Sequence, residues 1–102
     1  MEVENRFDLP ACCPYSGNPL AGSTLSIRYT PSKTVLEVAS LRAYIDSYIG
    51  GRGEIRSMEA MIQQIAIDCR DVLAVEVEVE ASLHLAPDQQ MTVRLSLPEP
   101  TP

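Results

Sequence analysis

The sequence predicts an α+β domain: a four-stranded antiparallel sheet in the chain order ββααββ, with two helices packed on one face. Three observations predict it. Apolar and polar residues alternate with period 2 in the first and last thirds of the chain. Two stripes of helical period fill the middle, and glycine and proline clusters separate the segments. With 102 residues the chain has room for one modest core, and so for one domain.

Residues 1–23 read as an N-terminal arm and loop, because Pro10, Pro14, Gly17, Pro19 and Gly22 interrupt regular structure. Leu25, Ile27 and Tyr29 alternate with Thr24, Ser26 and Arg28, the pattern of a half-buried strand. Pro31-Ser32 turns the chain, and 34–38 is expected as the hairpin partner. Ser40 is placed to cap a first helix, whose Leu41, Tyr44, Ile45 and Tyr48 recur at i, i+3, i+4 and i+7. Gly50-Gly51-Arg52-Gly53 ends it. A second helix is expected from about Ser57 to Asp71, with Met58, Met61, Ile62, Ile65, Cys69 and Val72 on one stripe.

The last third is β. Val75, Val77, Val79, Ala81 and Leu83 point one way, and Glu76, Glu78, Glu80 and Ser82 the other. This acidic row is expected to pair across strands with Arg28 and Arg94. Ala86-Pro87-Asp88-Gln89 is the turn, with His84 exposed beside it, and Met91, Val93, Leu95 and Leu97 mark the returning strand. Residues 24–97 thus form the single domain and 98–102 a tail. A sheet of this kind has two open edges, which closure of several subunits into a barrel would remove. A small domain also gains stability from surface buried between subunits. A homo-oligomer is therefore expected.

Composition narrows the function classes. The formal charge of −6 argues against nucleic acid as the principal partner, since phosphate binding needs a basic field. One histidine and no Cys-x-x-Cys leave no conventional zinc set. No apolar run approaches the roughly 20 residues that span a membrane. The acidic start, Met1-Glu2-Val3-Glu4, has no apolar signal segment behind it. Three cysteines, two of them adjacent, make a poor disulfide framework and point to a reducing, cytoplasmic setting.

Cys13 is the candidate nucleophile. It opens the rigid run Cys13-Pro14-Tyr15-Ser16-Gly17-Asn18-Pro19, directly ahead of the strand beginning at Thr24. The competing reading is an inert buried thiol. An ordinary thiol is only a few per cent ionised at neutral pH, so chemistry at Cys13 requires local activation.

Taken together, the loop from Cys13 to Leu20 followed by Tyr29-Thr30-Pro31, the spacing of Ser57-Met58-Glu59 to Asp68, and the segment Glu37-Val38-Ala39-Ser40-Leu41-Arg42-Ala43-Tyr44 resemble the tunnelling-fold (T-fold) enzymes. Among these they are most similar to the nitrile reductases of queuosine biosynthesis, which act on 7-cyano-7-deazaguanine. The resemblance spans roughly residues 7–97. It implies a multi-subunit barrel and a covalent thioimide formed by Cys13 on the nitrile carbon. It also implies Glu59 as the substrate anchor, its two carboxylate oxygens accepting from the paired N–H donors of a guanine-like edge. Glu37, Arg42 and Tyr44 fall at positions implied to bind NADPH; Arg42 and Lys33 are candidates to meet a phosphate, the competing reading being plain surface charges.

The sequence departs from the family at three places. The loop acid is replaced by Leu20, the histidine before the anchoring glutamate by Met58, and the first lysine of the cofactor motif by Ala39. A related archaeal branch lacks the cofactor motif and transfers ammonia to the nitrile, forming an amidine on transfer RNA. The expectations are therefore a nitrile reductase-like enzyme, an amidine-forming transferase with tRNA as substrate, or a purine-binding or structural oligomer without catalysis.

Overall fold

The computed structural model describes residues 1–101. Its elements are β1 (Val3–Asp8), β2 (Thr24–Tyr29), α1 (Val38–Asp46), α2 (Met58–Leu73), β3 (Val77–Ala86) and β4 (Gln89–Leu97). The strands form one sheet in the order β1-β2-β3-β4, each neighbouring pair antiparallel. The ββααββ order is the one predicted, but the first hairpin is different.

Residues Val3–Asp8, expected in the irregular arm, are the edge strand that pairs with β2 in the register Val3↔Tyr29 to Asp8↔Thr24. Val3 and Phe7 pack toward the core. The period-2 signal was present but weakened, because Asn5 holds the central inward position between them. Segment 34–38 is not a strand. Leu36 N–H donates to the Tyr29 hydroxyl (3.0 Å), and Val35 lies open to solvent. Glu37 then caps α1, its carboxylate accepting from Ala39 N–H (3.0 Å) and Ser40 N–H (2.6 Å). Ser40 is therefore a first-turn residue rather than the cap. A side-chain acceptor on free amides of the first turn is what any helix start needs, and glutamate here does what serine was expected to do.

The core lies between sheet and helices. Leu25, Ile27 and Tyr29 from β2 and Val77, Val79, Ala81 and Leu83 from β3 face inward, as their alternation requires. Leu41, Ile45 and Tyr48 meet them from α1 and the turn after it, and Met61, Ile62, Ile65, Ala66, Cys69 and Leu73 from α2. Each fully buried aliphatic side chain contributes about 1.5–3 kcal/mol of transfer free energy. Val72, expected on the buried stripe, is exposed, and Leu73 takes the inward place one residue on.

On the opposite sheet face the acidic row pairs as expected. Register sets Arg28 against Glu78 and Arg94 against Glu80, with ion pairs of 3.4 and 3.5 Å. Half-exposed cross-strand pairs of this kind contribute about 0.2–1 kcal/mol each.

Candidate functional site

Because β1 pairs with β2, the segment bearing Cys13 is the connection between two adjacent strands. Its neck is closed by Leu9 N–H donating to Ser23 O (3.0 Å). Inside it, the amides of Cys12 and Cys13 both donate to Asn18 O (2.9 and 3.0 Å), and Gly17 N–H donates to Cys13 O (2.9 Å). Gly17 holds φ +71°, a left-handed turn position that glycine accepts without strain. The turn aims donors at the thiol: Ser16 N–H lies 3.4 Å from Cys13 Sγ.

The three cysteines differ in environment. Cys12 and Cys69 are buried, while Cys13 reaches solvent. Hydrogen bonding from the Ser16 side chain, then from the backbone N–H groups of Ser16 and Tyr15, lowers the Cys13 pKa, because each donor stabilises the thiolate. Burial pushes the Cys12 thiol up, and the neighbouring Cys13 adds to the effect. Burial likewise pushes Cys69 up to about 12, with Asp68 contributing. The inert reading fits Cys12 and Cys69, and the activated one fits Cys13.

Glu59 occupies the first turn of α2, exposed, where the helix dipole favours a carboxylate. Ser57 caps this helix, its hydroxyl accepting from Ala60 N–H (3.2 Å). The Cys13 loop docks against this region. The Cys12 thiol donates to Ser57 O at 3.8 Å, and Gly50 N–H, just after α1, donates to Ala11 O at 3.0 Å. The residue before Cys13 thus touches the residue two before Glu59. In three grooves of the single chain the lining includes neither Cys13 nor Glu59.

The residues assigned to a cofactor are divided. Glu37 and Tyr44 line a groove of about 360 Å³ with Leu36, Asp68, Cys69 and Val72. Arg42 lies on a different groove, with Asn5 and Phe7 of β1, and its guanidinium is engaged by Asp46 (2.7 Å) and Asp8 O (3.1 Å). The Glu37 carboxylate is committed to capping, which lowers its pKa through Ser40 and Ala39. Ala39 is exposed in the first turn of α1, and Met58 packs partly against the core.

Sequence reasoning missed a polar cluster joining the two helices. Tyr44 Oη donates to Asp68 Oδ2 at 2.5 Å and lies 2.8 Å from Tyr48 Oη, while Gln64 Nε2 donates to Asp68 Oδ1 at 2.8 Å. The Arg52 guanidinium stacks over both tyrosine rings, 5.4 and 5.3 Å from their centres. The i, i+4 spacings Tyr44/Tyr48 and Gln64/Asp68 were the available signal; nothing in the spacing announced Arg52.

Among the described residues, no group of three or more His, Cys, Asp or Glu is placed to hold a metal ion. No described helix is long and apolar enough to cross a membrane.

No family model matches the chain, and no curated protein matches it in sequence. Among solved structures it is similar to the archaeosine synthase QueF-like in the apo form, with a TM-score of 0.77 and 18% identity over 99% of this chain and 96% of that one. The chain has the tunnelling fold. That likeness is one of fold: a four-stranded antiparallel sheet with two helices.

Proposed function

We propose that the protein processes a nitrile-bearing 7-deazaguanine through a covalent thioimide on Cys13, with Glu59 reading the purine edge. The observation that carries this reading is the Cys13 loop itself. It presents the one solvent-reaching thiol of the chain, cradled by donors that favour its thiolate, beside the start of the helix that bears Glu59. The similarity in fold to an archaeosine synthase supports the substrate class. In the first step the thiolate adds to the nitrile carbon, one C–N π pair moves to nitrogen, and nitrogen takes a proton. An ammonia nitrogen then attacks the thioimide carbon, the C–S bond breaks, and an amidine leaves with the thiolate restored.

Transfer is favoured over reduction by the separation of Arg42 from Glu37 and Tyr44, and by the engagement of Glu37 as a helix cap. The second reading, reduction by NADPH, rests on the groove that Glu37 and Tyr44 share. Completion of the site by a second subunit is part of the proposal, since Cys13 and Glu59 are absent from the lining of these three grooves.

Incubation with 7-cyano-7-deazaguanine followed by intact-mass spectrometry tests the reading. The expected result is a mass gain of one ligand, lost in Cys13→Ala and weakened in Glu59→Gln. Ammonium should then release an amidine, whereas release of an aminomethyl product by NADPH would select the second reading. Ligand binding without any adduct would leave a purine-binding oligomer.

A further inference from the structure

Most of the positive charge of this chain is already engaged. Arg6, Arg28, Arg42, Arg70 and Arg94 each pair with a carboxylate. Arg52 lies over the rings of Tyr44 and Tyr48. Two cations have no such partner among the described residues: Lys33, which follows β2, and Arg56, directly before the cap of α2. Arg56 is exposed, in a chain that carries 14 acidic residues.

The turn between the helices fixes its place. Arg52 N–H donates to Ile55 O (2.8 Å) and Ile55 N–H to Arg52 O (2.9 Å), so the chain doubles back and sets Arg56 against Gly51. Gly51 holds φ +99°, and a Cβ there would stand 3.3 Å from Arg56 Cγ and 3.8 Å from Cys12 O. The stem of Arg56 and the carbonyl that leads into Cys13 thus meet over one glycine, where a larger residue would part them. On its C-terminal side Arg56 is joined to Ser57, whose carbonyl accepts from the Cys12 thiol, and Glu59 follows in the first turn of α2. Arg56 therefore lies between the Cys13 loop and the turn that bears Glu59.

The ligand class proposed above carries its groups in a matching order. Round one side of 7-cyano-7-deazaguanine the nitrile is followed by the C6 carbonyl oxygen, then N1–H, then the 2-amino group. Cys13 is assigned the first of these and Glu59 the last two. The oxygen between them is an acceptor, which neither a thiolate nor a carboxylate can serve. We propose that Arg56 donates to that oxygen and so reads the 6-oxo group of the purine, a role that rests on the covalent reading given above. A guanidinium has only donors, and its charge persists across the working pH range. Arg56 is thus a specificity residue of this site, and bond making stays with the Cys13 sulfur and the nitrile carbon.

Affinities for two ligands test it: 7-cyano-7-deazaguanine and its 6-thioxo analogue, which keeps N1–H and the 2-amino group but presents a weak acceptor at position 6. They are measured by isothermal titration in a Cys13→Ala background, where no adduct can form at that position, with Arg56 present and with Arg56→Met. With Arg56 present the oxo ligand should bind tighter. Arg56→Met should weaken the oxo ligand about 10-fold or more and the thioxo ligand much less, so that the preference collapses. Arg56 has no described partner to lose, so the variant should melt with its parent. Unchanged affinity for the oxo ligand overturns the proposal, and so does an equal loss of both ligands, the mark of a damaged site rather than of one lost contact. Adduct formation is read separately in the protein that keeps Cys13: an adduct beside either of those results leaves the covalent reading standing. Discrimination as expected without any adduct overturns the covalent step and leaves Arg56 as the reader of the 6-oxo group. A protein that binds neither ligand overturns both.

Discussion

Replacing Tyr44 with phenylalanine removes one oxygen from the polar cluster that joins α1 to α2. That oxygen donates to Asp68 Oδ2 at 2.5 Å and bonds the Tyr48 hydroxyl at 2.8 Å, so the variant leaves the Asp68 carboxylate with Gln64 alone among these partners. A hydrogen bond to a charged group contributes about 1.5–3 kcal/mol, and partial exposure of Tyr44 puts this one near the lower bound, at about 1.5 kcal/mol. For a domain of this size each kcal/mol lowers Tm by about 4–8 °C, so the expected loss is about 6–12 °C at neutral pH.

The same cluster gives an alkaline signature. Burial, then Asp68 and Tyr48, raises the Tyr44 pKa above the ordinary tyrosine range. The folded protein therefore keeps a proton that the unfolded chain surrenders. This stability is complete below the unfolded value of about 10 and declines as pH climbs beyond it. Cys69 adds a decline of its own between 9.0 and about 12, present in both proteins. Thermal melts by circular dichroism at pH 7, 9 and 10.5 separate the two contributions: the gap between wild type and Tyr44→Phe should narrow as pH rises. A variant that melts with the wild type at pH 7, or a gap that does not change with pH, refutes the reasoning.

Ser16→Ala removes the largest influence lowering the Cys13 pKa, so the inflection in a pH–rate profile of iodoacetamide labelling at Cys13 should move to higher pH; an unmoved profile would show that the Ser16 hydroxyl does not hold the thiolate. Ser57→Ala deletes the cap of α2 and is expected to cost about 1 kcal/mol in urea unfolding with no change in m-value. A neutral result there would mean that solvent serves the Ala60 amide equally well.

Much of this architecture was legible because long periodic segments speak clearly. The alternation from Thr24 to Tyr29 and from Val77 to Leu83, and the stripe from Met58 to Cys69, each appear on the face their period assigned. What was not legible came from competition at segment ends. Residues 34–38 have strand-forming side chains, but Glu37 gains two helix-cap hydrogen bonds and α1 begins there. The segment Val3–Asp8 was hidden by Asn5, and by prolines that belong to the loop beyond it.

The candidate site was legible residue by residue but not as an arrangement. Cys13 stood out through its turn chemistry, and its distinction from Cys12 and Cys69 required knowing which thiols are buried. The hydrogen bond from Cys12 Sγ to Ser57 O joins positions 45 residues apart, and no local pattern announces a contact of that range.

The pairing of Val3–Asp8 with Thr24–Tyr29 has a mechanical consequence for the position of Cys13. A slip of one position along that ladder would move the thiol by about 3.4 Å and turn Val3 and Phe7 outward, exchanging them for Glu4, Arg6 and Asp8. Core packing of two apolar side chains at the very start of the chain therefore guards the placement of a sulfur several residues downstream. Under the proposed function, substitutions at Val3 or Phe7 should slow adduct formation at Cys13 before they surface as unfolding.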